Sequence, residues 1–289
     1  MKKILVMGAY GLLGNSLCPL LDMSGFNIFR QGRNASAQIQ CNPVNTHEVL
    51  NAIEKCDPDI VINLIANTNV DMCEETPELA YIANMKVTES IVLAIQFSSK
   101  KDIHLIHIST DMVYDGQSPS AEENVSPINV YGLSKLAGEY MAAHVEATIL
   151  RTNFIGRSFC SGRVSLTDWI VASLKAAEPI TVYEDVMFSP LHISTLCSVI
   201  ELVIKKQITG IYNLGCKNGN SKARLAFLLA ERLALDCGLM SIGRLQVLNQ
   251  DVRRPLDMRM NSAHFEHEFN FIMPSFESQI ELAAHEYIH

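Results

Sequence analysis

Tyr131-Gly132-Leu133-Ser134-Lys135 has Y-x-x-x-K spacing inside a helical pattern, and residues four apart on a helix share one face. A free tyrosine, with a pKa near ~10, is a poor acid or base at neutral pH. An ammonium beside it favours phenolate and is expected to lower that value. The pair alone is common on surface helices. It gains meaning from Ser109-Thr110-Asp111, which directly follows the apolar run Ile103–Ile108. In an open parallel sheet, ligands bind beyond the C-terminal ends of strands, where the Thr110 hydroxyl can reach the same carbonyl oxygen as Tyr131. An alcohol, a phenol and an amine in that chain order point to proton transfer at a carbonyl group. Thr110, Tyr131 and Lys135 are therefore the candidate catalytic residues.

Gly8-Ala9-Tyr10-Gly11-Leu12-Leu13-Gly14 follows the apolar run Ile4–Met7 and opens a helical pattern. Its G-x-x-G-x-x-G spacing is one residue longer than G-x-G-x-x-G, in the same strand–turn–helix context. Gly8 permits the tight turn, Gly11 lets a pyrophosphate approach the backbone, and Gly14 lets the helix pack closely on the sheet. The N–H groups of the helix start then face the phosphates. Gly8, Tyr10, Gly11, Leu12, Leu13 and Gly14 thus form a candidate dinucleotide cradle. A carboxylate at the end of the second strand would bind the ribose 2′-hydroxyl of NAD. Phe29-Arg30-Gln31-Gly32-Arg33-Asn34 has none, and an arginine pairs with a 2′-phosphate. The expected cofactor is NADPH, through Arg33 first and Arg30 second, with NADH as the alternative.

The elements that must position these groups alternate. Strands are predicted at Ile4–Met7, Phe26–Phe29, Asp59–Ile65, Ile103–Ile108 and Thr148–Arg151. Helices are predicted at Leu12–Met23, His47–Lys55 (with Asn45-Thr46 as cap candidates), from Pro77 toward Lys86 with a continuation through Phe97 left open, and Tyr131–Ala147. This rhythm implies an α/β chain with a doubly wound parallel (Rossmann) sheet and right-handed crossovers. Later elements are helices Thr167–Ala177, Ile193–Lys206 and Lys222–Leu235, with strands Ile180–Tyr183 and Gly210–Leu214. From Arg244 the tail, with Pro255 and Pro274, reads as irregular. The expected division is a dinucleotide-binding domain over 1–155, with later segments near 185–215 returning to it, and a smaller substrate-binding lobe over 156–289.

Composition narrows the function. The 289 residues are 48% hydrophobic and 19% charged, which suits a folded enzyme rather than a disordered chain. A net charge of −8 argues against nucleic-acid binding, which needs a basic face. No apolar run reaches a membrane span; Leu196–Ile204 is interrupted by Glu201. Only Ile4–Met7 follows Met1-Lys2-Lys3 before a glycine turn, too little for a signal peptide. Eight cysteines without C-x-x-C pairing read as reduced residues of a cytoplasmic protein. His104 and His107 fall on a buried strand and read as core. His264 and His267, beside Glu266 and Glu268, lack further ligands at fixed spacing, so no metal site is expected. Trp169 reads as core or interface. Arg253, Arg254 and Arg259 form a small basic group whose guanidinium forks suit a diphosphate.

The motifs GAYGLLG, STDMVYDG, INVYGLSKLAGEY and RRPLDMRMN together resemble the extended short-chain dehydrogenase/reductase superfamily, and within it the dTDP-4-dehydrorhamnose reductases. NVDMCEETPELAYIAN and GIYNLGCKNGNSKARLAFLLAERL extend the similarity over nearly the whole chain. The resemblance implies NADPH-dependent reduction of a nucleotide-activated 4-keto-6-deoxy sugar for surface polysaccharide synthesis. Tyr131 would protonate the keto oxygen, Lys135 would hold the nicotinamide ribose, and Thr110 would orient the carbonyl. Ala66, Asn67, Thr68 and Asn84 would line the cofactor groove. Asp111, Met112, Asn153, Arg253 and Arg254 would contact a nucleotide-sugar substrate, and a homodimer is compatible. The chain departs from the family at Met112, where an aromatic residue is frequent, at Cys41-Asn42 near the adenine, and at Arg254-Pro255-Leu256-Asp257-Met258, which lacks a serine. A UDP- or GDP-linked sugar is therefore an alternative substrate. Two other readings are a nucleotide-sugar epimerase or dehydratase that recycles its cofactor, and a dinucleotide-binding regulatory subunit.

Overall fold

Side chains alternate across the central strands, and each face of the sheet collects its own core. Ile4, Val6, Ile60, Ile62, Ile106 and Leu150 pack on one face, and Leu5, Met7, Val61, Leu105 and Ile149 on the other. Strands buried on both sides read as the unbroken apolar runs of a parallel sheet. The computed structural model describes residues 1–34, 36–116, 119–245 and 252–288.

The main strands are β1 (Lys3–Met7), β2 (Asn27–Gly32), β3 (Ile39–Gln40), β4 (Ile60–Asn63), β5 (His104–Thr110) and β6 (Ala147–Thr152). Shorter strands β7 (Phe154–Ile155), β8 (Ile180–Tyr183), β9 (Met187–Phe188) and β10 (Leu191–His192) follow. Then come β11 (Gly210–Leu214), β12 (Asn220–Ser221) and β13 (Met240–Gly243). The helices are α1 (Leu12–Met23), α2 (Thr46–Cys56), α3 (Val70–Glu75), α4 (Pro77–Tyr81), α5 (Val87–Phe97), α6 (Val130–Ala142) and α7 (Leu166–Lys175). The last four are α8 (Ile193–Lys206), α9 (Lys222–Arg232), α10 (Ala263–Phe269) and α11 (Phe276–His285).

Seven strands form one parallel sheet in the order β11-β6-β5-β4-β1-β2-β3, with β11 in register with β6. Strand order reverses on either side of β1, which opens a crevice beyond the C-terminal ends of β1 and β4. Leu13, Leu17 and Leu21 of α1 and Leu196, Ile200 and Ile204 of α8 cover one face. Val49 and Ile53 of α2 and Val87, Ile91 and Ile95 of α5 cover the other. The three short pairs β7–β10, β9–β12 and β8–β13 lie outside the main sheet.

Three expectations are refined or corrected. The segment from Pro77 to Phe97 is helical throughout but not uniformly α: a π-helical turn at Ile82–Lys86 lies between α4 and α5. The second strand runs from Asn27 to Gly32 rather than ending at Phe29, because Gln31 and Gly32 pair with the short β3. The tail is not irregular, since α10 and α11 pack Phe265, Phe269, Phe276 and Ile280 into the core. The sequence carried a signal for α11: Ser275 caps it by accepting the Ser278 N–H at 3.2 Å.

Candidate active site

Gly8 holds φ +80°, a conformation that side chains other than hydrogen rarely adopt. A Cβ there would lie 2.9 Å from Ile65 Cγ1, and one at Gly14 would lie 2.4 Å from the Ala9 carbonyl oxygen. Both positions need glycine for the turn to hug the sheet. The start of α1 has no side-chain cap, which leaves its first-turn N–H groups without a side-chain acceptor, as a phosphate-binding helix start requires. Gln31, buried in β2, fixes the turn. It accepts from the Gly8 N–H at 3.0 Å and donates to the Cys41 carbonyl at 2.9 Å. Nothing in the spacing motif pointed to Gln31, which is one of three polar residues in β2 and the buried one among them. The cradle fits a dinucleotide pyrophosphate on these grounds.

The two arginines separate. Arg33 borders a cavity of about 400 Å³ shared with Gln40, Cys41, Asn42 and Glu48. Glu48 is already engaged by the Asn42 N–H at 2.7 Å and the Asn45 amide at 3.1 Å. Arg30 is turned to an ion pair with Asp22 near the far end of α1, so it is not brought to that cavity. The exposed ring of Tyr10 lies over Gly32, and its hydroxyl accepts the Gln38 N–H at 3.2 Å.

Asn84 sits inside the π-helical turn, a geometry that often marks functional sites. Its carbonyl accepts the Asn67 N–H at 2.8 Å. Its amide nitrogen donates to the Asn67 carbonyl at 3.1 Å and to Ser134 Oγ at 2.9 Å. The side chain is thus spent clasping the segment of Ala66, Asn67 and Thr68 to α6.

Thr110 ends β5, and Tyr131 and Lys135 occupy adjacent turns of α6, all three buried. The Thr110 hydroxyl accepts the Met112 N–H at 3.2 Å and donates to Asp111 Oδ1 at 3.2 Å. It also acts on the nearby Tyr131 phenol, where it opposes the rise in pKa that burial causes. Lys135 Nζ donates to the Ile108 carbonyl at 2.6 Å. One expectation is reversed here. The Tyr131 pKa is raised, not lowered: burial dominates and Asp111 adds to it, while Lys135 is directed at the Ile108 carbonyl. The phenol therefore carries its proton at neutral pH but is a weaker acid in this arrangement than a free tyrosine. Burial lowers the Lys135 pKa to about 8 against the favourable charge of Glu139.

Asp111, fully buried, accepts the Asn153 amide at 2.8 Å. Burial raises its pKa to about 6, opposed by Asn153, Thr110 and the charge of Lys222. Lys222, the first residue of α9, was not singled out from the sequence. It lies within range of the Asp111 and Arg254 charges, and burial lowers its pKa. Arg254 pairs with Asp71 at 2.6 Å. Arg253 is exposed, and its carbonyl accepts the Asn129 amide at 3.0 Å. Met112 packs beside Tyr131. A larger cavity, about 460 Å³, lies between Ser189, Gly215 and Arg259, and none of Thr110, Tyr131 or Lys135 lines it.

The remaining features are structural. His104 bonds Thr148 Oγ1 at 2.7 Å and His107 bonds the Asn63 amide at 3.2 Å, and burial keeps both neutral. Trp169 is exposed rather than core. Cys18, Cys41, Cys56, Cys197 and Cys216 are buried thiols with pKa values pushed up to about 11 or 12. Among the described residues no cluster of three His, Cys, Asp or Glu could hold a metal, and no helix is long and apolar enough to cross a membrane.

A doubly wound sheet whose crevice is overlooked by a tyrosine four residues before a lysine defines the extended short-chain dehydrogenase/reductase class. A family model described as the RmlD substrate binding domain matches residues 1–288, and the chain belongs to that family. The chain is 27% identical to the dTDP-4-dehydrorhamnose reductase of Escherichia coli K12, over 98% of this chain and 97% of that protein. It is 26% identical to the probable low-salt glycan biosynthesis reductase Agl14 of Haloferax volcanii, over 95% of each. The crystal structure of a dTDP-4-dehydrorhamnose reductase from Bacillus anthracis in complex with NADP superposes with a TM-score of 0.86 at 24% identity. It covers 99% of this chain and 100% of that one.

Proposed function

We propose that the protein reduces the keto group of a nucleotide-activated 4-keto-6-deoxy sugar with NADPH, for assembly of a surface polysaccharide or glycan. The observation that carries the reading is that Thr110 at the C-terminal end of β5 and Tyr131 and Lys135 of α6, which is pinned to β5 by the Lys135–Ile108 hydrogen bond, are buried together at the edge of the sheet that also carries the glycine cradle. NADPH, when bound, supplies the hydride to the sugar carbon. Tyr131 gives its phenolic proton to the carbonyl oxygen as charge develops there. Thr110 orients that oxygen by a second hydrogen bond. Lys135 would hold the nicotinamide ribose through its ammonium, and Asn84 sets the backbone of Asn67 that would line the groove. Arg33, which borders the cavity beside Gln40, would hold the 2′-phosphate. Asp111 and Asn153 meet sugar hydroxyls, and Lys222 faces the substrate from the other lobe.

The experiment is NADPH oxidation in the presence of dTDP-, UDP-, GDP- and CDP-linked 4-keto sugars, with the product analysed. Tyr131→Phe is expected to abolish turnover and leave NADPH binding intact. Wild-type turnover in that variant would remove Tyr131 as the acid. Conversion of the sugar without net oxidation of NADPH would point to epimerisation or dehydration instead.

A further inference from the structure

Glu139 follows Lys135 by four residues and Tyr131 by eight, so the three side chains succeed one another along one buried face of α6. Arg151 of β6 grips its carboxylate. Nε donates to Oε1 at 3.0 Å and Oε2 at 3.1 Å, and Nη2 donates to Oε2 at 2.6 Å. The Ser109 hydroxyl donates to Oε1 as well. The remaining arm of Arg151, Nη1, donates to the Tyr114 hydroxyl at 2.9 Å and the Glu122 carbonyl at 2.6 Å. Tyr114 in turn donates to Asn213 Oδ1 at 2.7 Å, on β11.

Both partners of this ion pair are 2% exposed or less. Such a pair contributes little net stability, because desolvation offsets most of the Coulombic attraction. Its placement is more informative. Glu139 ties down Ser109, the residue before Thr110, while Lys135 ties down Ile108, the residue before that. Consecutive β5 residues are thus bound to consecutive turns of the helix that carries Tyr131. Glu139 also supplies the favourable charge beside the Lys135 ammonium. On β5 the titratable neighbour of Lys135 is His107, kept neutral by burial. Lys86 of the π-helical turn is paired with Glu89, and Glu74 of α3 accepts the Val130 N–H at 2.9 Å.

We propose that Glu139, held by Arg151, is a positioning residue that fixes the Thr110 end of β5 against α6 and sets a carboxylate one helical turn from the Lys135 ammonium. This rests on the reductase reading above. The test uses the full chain with two variants. Rates and NADPH affinity, the latter by nicotinamide fluorescence, are followed from about pH 6 to about pH 10. Glu139→Gln keeps the shape and removes the charge. Its alkaline limb should fall to lower pH by about one unit, giving roughly tenfold less activity at about pH 9 than the unmodified protein. Ser109→Ala should lower kcat several-fold with the KM for NADPH and the alkaline limb unchanged, and it serves even where Glu139→Gln does not fold. A Glu139→Gln loss equal at every pH, an unshifted limb, or wild-type kcat in Ser109→Ala would overturn the inference. NADPH binding without turnover on any keto sugar would instead overturn the proposed reaction. The pH dependence of NADPH affinity in the two proteins would then still decide the role of Glu139.

Discussion

Asp111 is ionised where ionisation is unfavourable, and replacing it should stabilise the protein in a pH-dependent way. Its carboxyl is 1% exposed, and its pKa is raised from 3.8 to about 6 by burial. Ionising it is therefore harder in the folded protein than in the unfolded chain by about 3 kcal/mol, since each pH unit corresponds to about 1.4 kcal/mol. The sign follows. A carboxyl with a raised folded-state pKa contributes stability that is complete below 3.8 and is lost as pH rises through about 6. Asp111→Asn cannot ionise in either state. Its amide must also replace one acceptor of the Asn153 hydrogen bond, which offsets part of the gain, at about 1 kcal/mol. Near pH 4 the variant should match or fall slightly below the wild type. At neutral pH it should be more stable by about 2 kcal/mol, or roughly 5 °C in melting temperature. Thermal or urea melts of both proteins across that range measure the difference. A variant-minus-wild-type difference that does not change with pH, or that is negative at neutral pH, would refute the reasoning. A more stable but less active variant is the pattern expected of a site that holds strain for function.

Three further outcomes follow from the same geometry. Arg33→Ala should raise the KM for NADPH roughly tenfold and leave that for NADH alone, the loss of a charge-assisted hydrogen bond, whereas Arg30→Ala should alter neither. Steady-state kinetics with both cofactors checks this, and equal effects of the two substitutions would reject it. Asn84→Ala frees the Asn67 segment from α6 and should weaken NADPH affinity roughly tenfold, read by fluorescence titration, because one buried amide makes three hydrogen bonds there. Lys222→Met should weaken the keto-sugar substrate several-fold in KM and leave NADPH affinity unchanged, a split that steady-state kinetics resolves.

The linear sequence was informative wherever chemistry depends on local spacing. The cradle from Gly8 to Gly14, the Tyr131–Lys135 repeat and the residue order Ser109-Thr110-Asp111 are short-range patterns, and the strands that carry them are apolar runs with clear ends. Helices with strong periodicity, such as Ile193–Lys206, were legible for the same reason. The π-helical turn around Asn84 was not, because one extra residue per turn barely disturbs an apolar pattern. Nor was the division of labour between the two arginines. Arg30 and Arg33 are alike in sequence, and only the arrival of Asp22 from the far end of α1 withdraws Arg30.

Spacing on a helix determined that Tyr131 and Lys135 share a face, and it brought a tyrosine and a lysine to one crevice. It could not determine their protonation, which depends on how much water is excluded and which partners arrive from distant segments. The tertiary structure decided that the Tyr131 pKa rises instead of falling, because packing buries the phenol and directs the ammonium to the Ile108 carbonyl. It also decided that Glu139, Arg151 and Lys222 belong to the same neighbourhood. Burial and long-range charge are sums over the whole fold, whereas periodicity is a property of a few neighbouring residues.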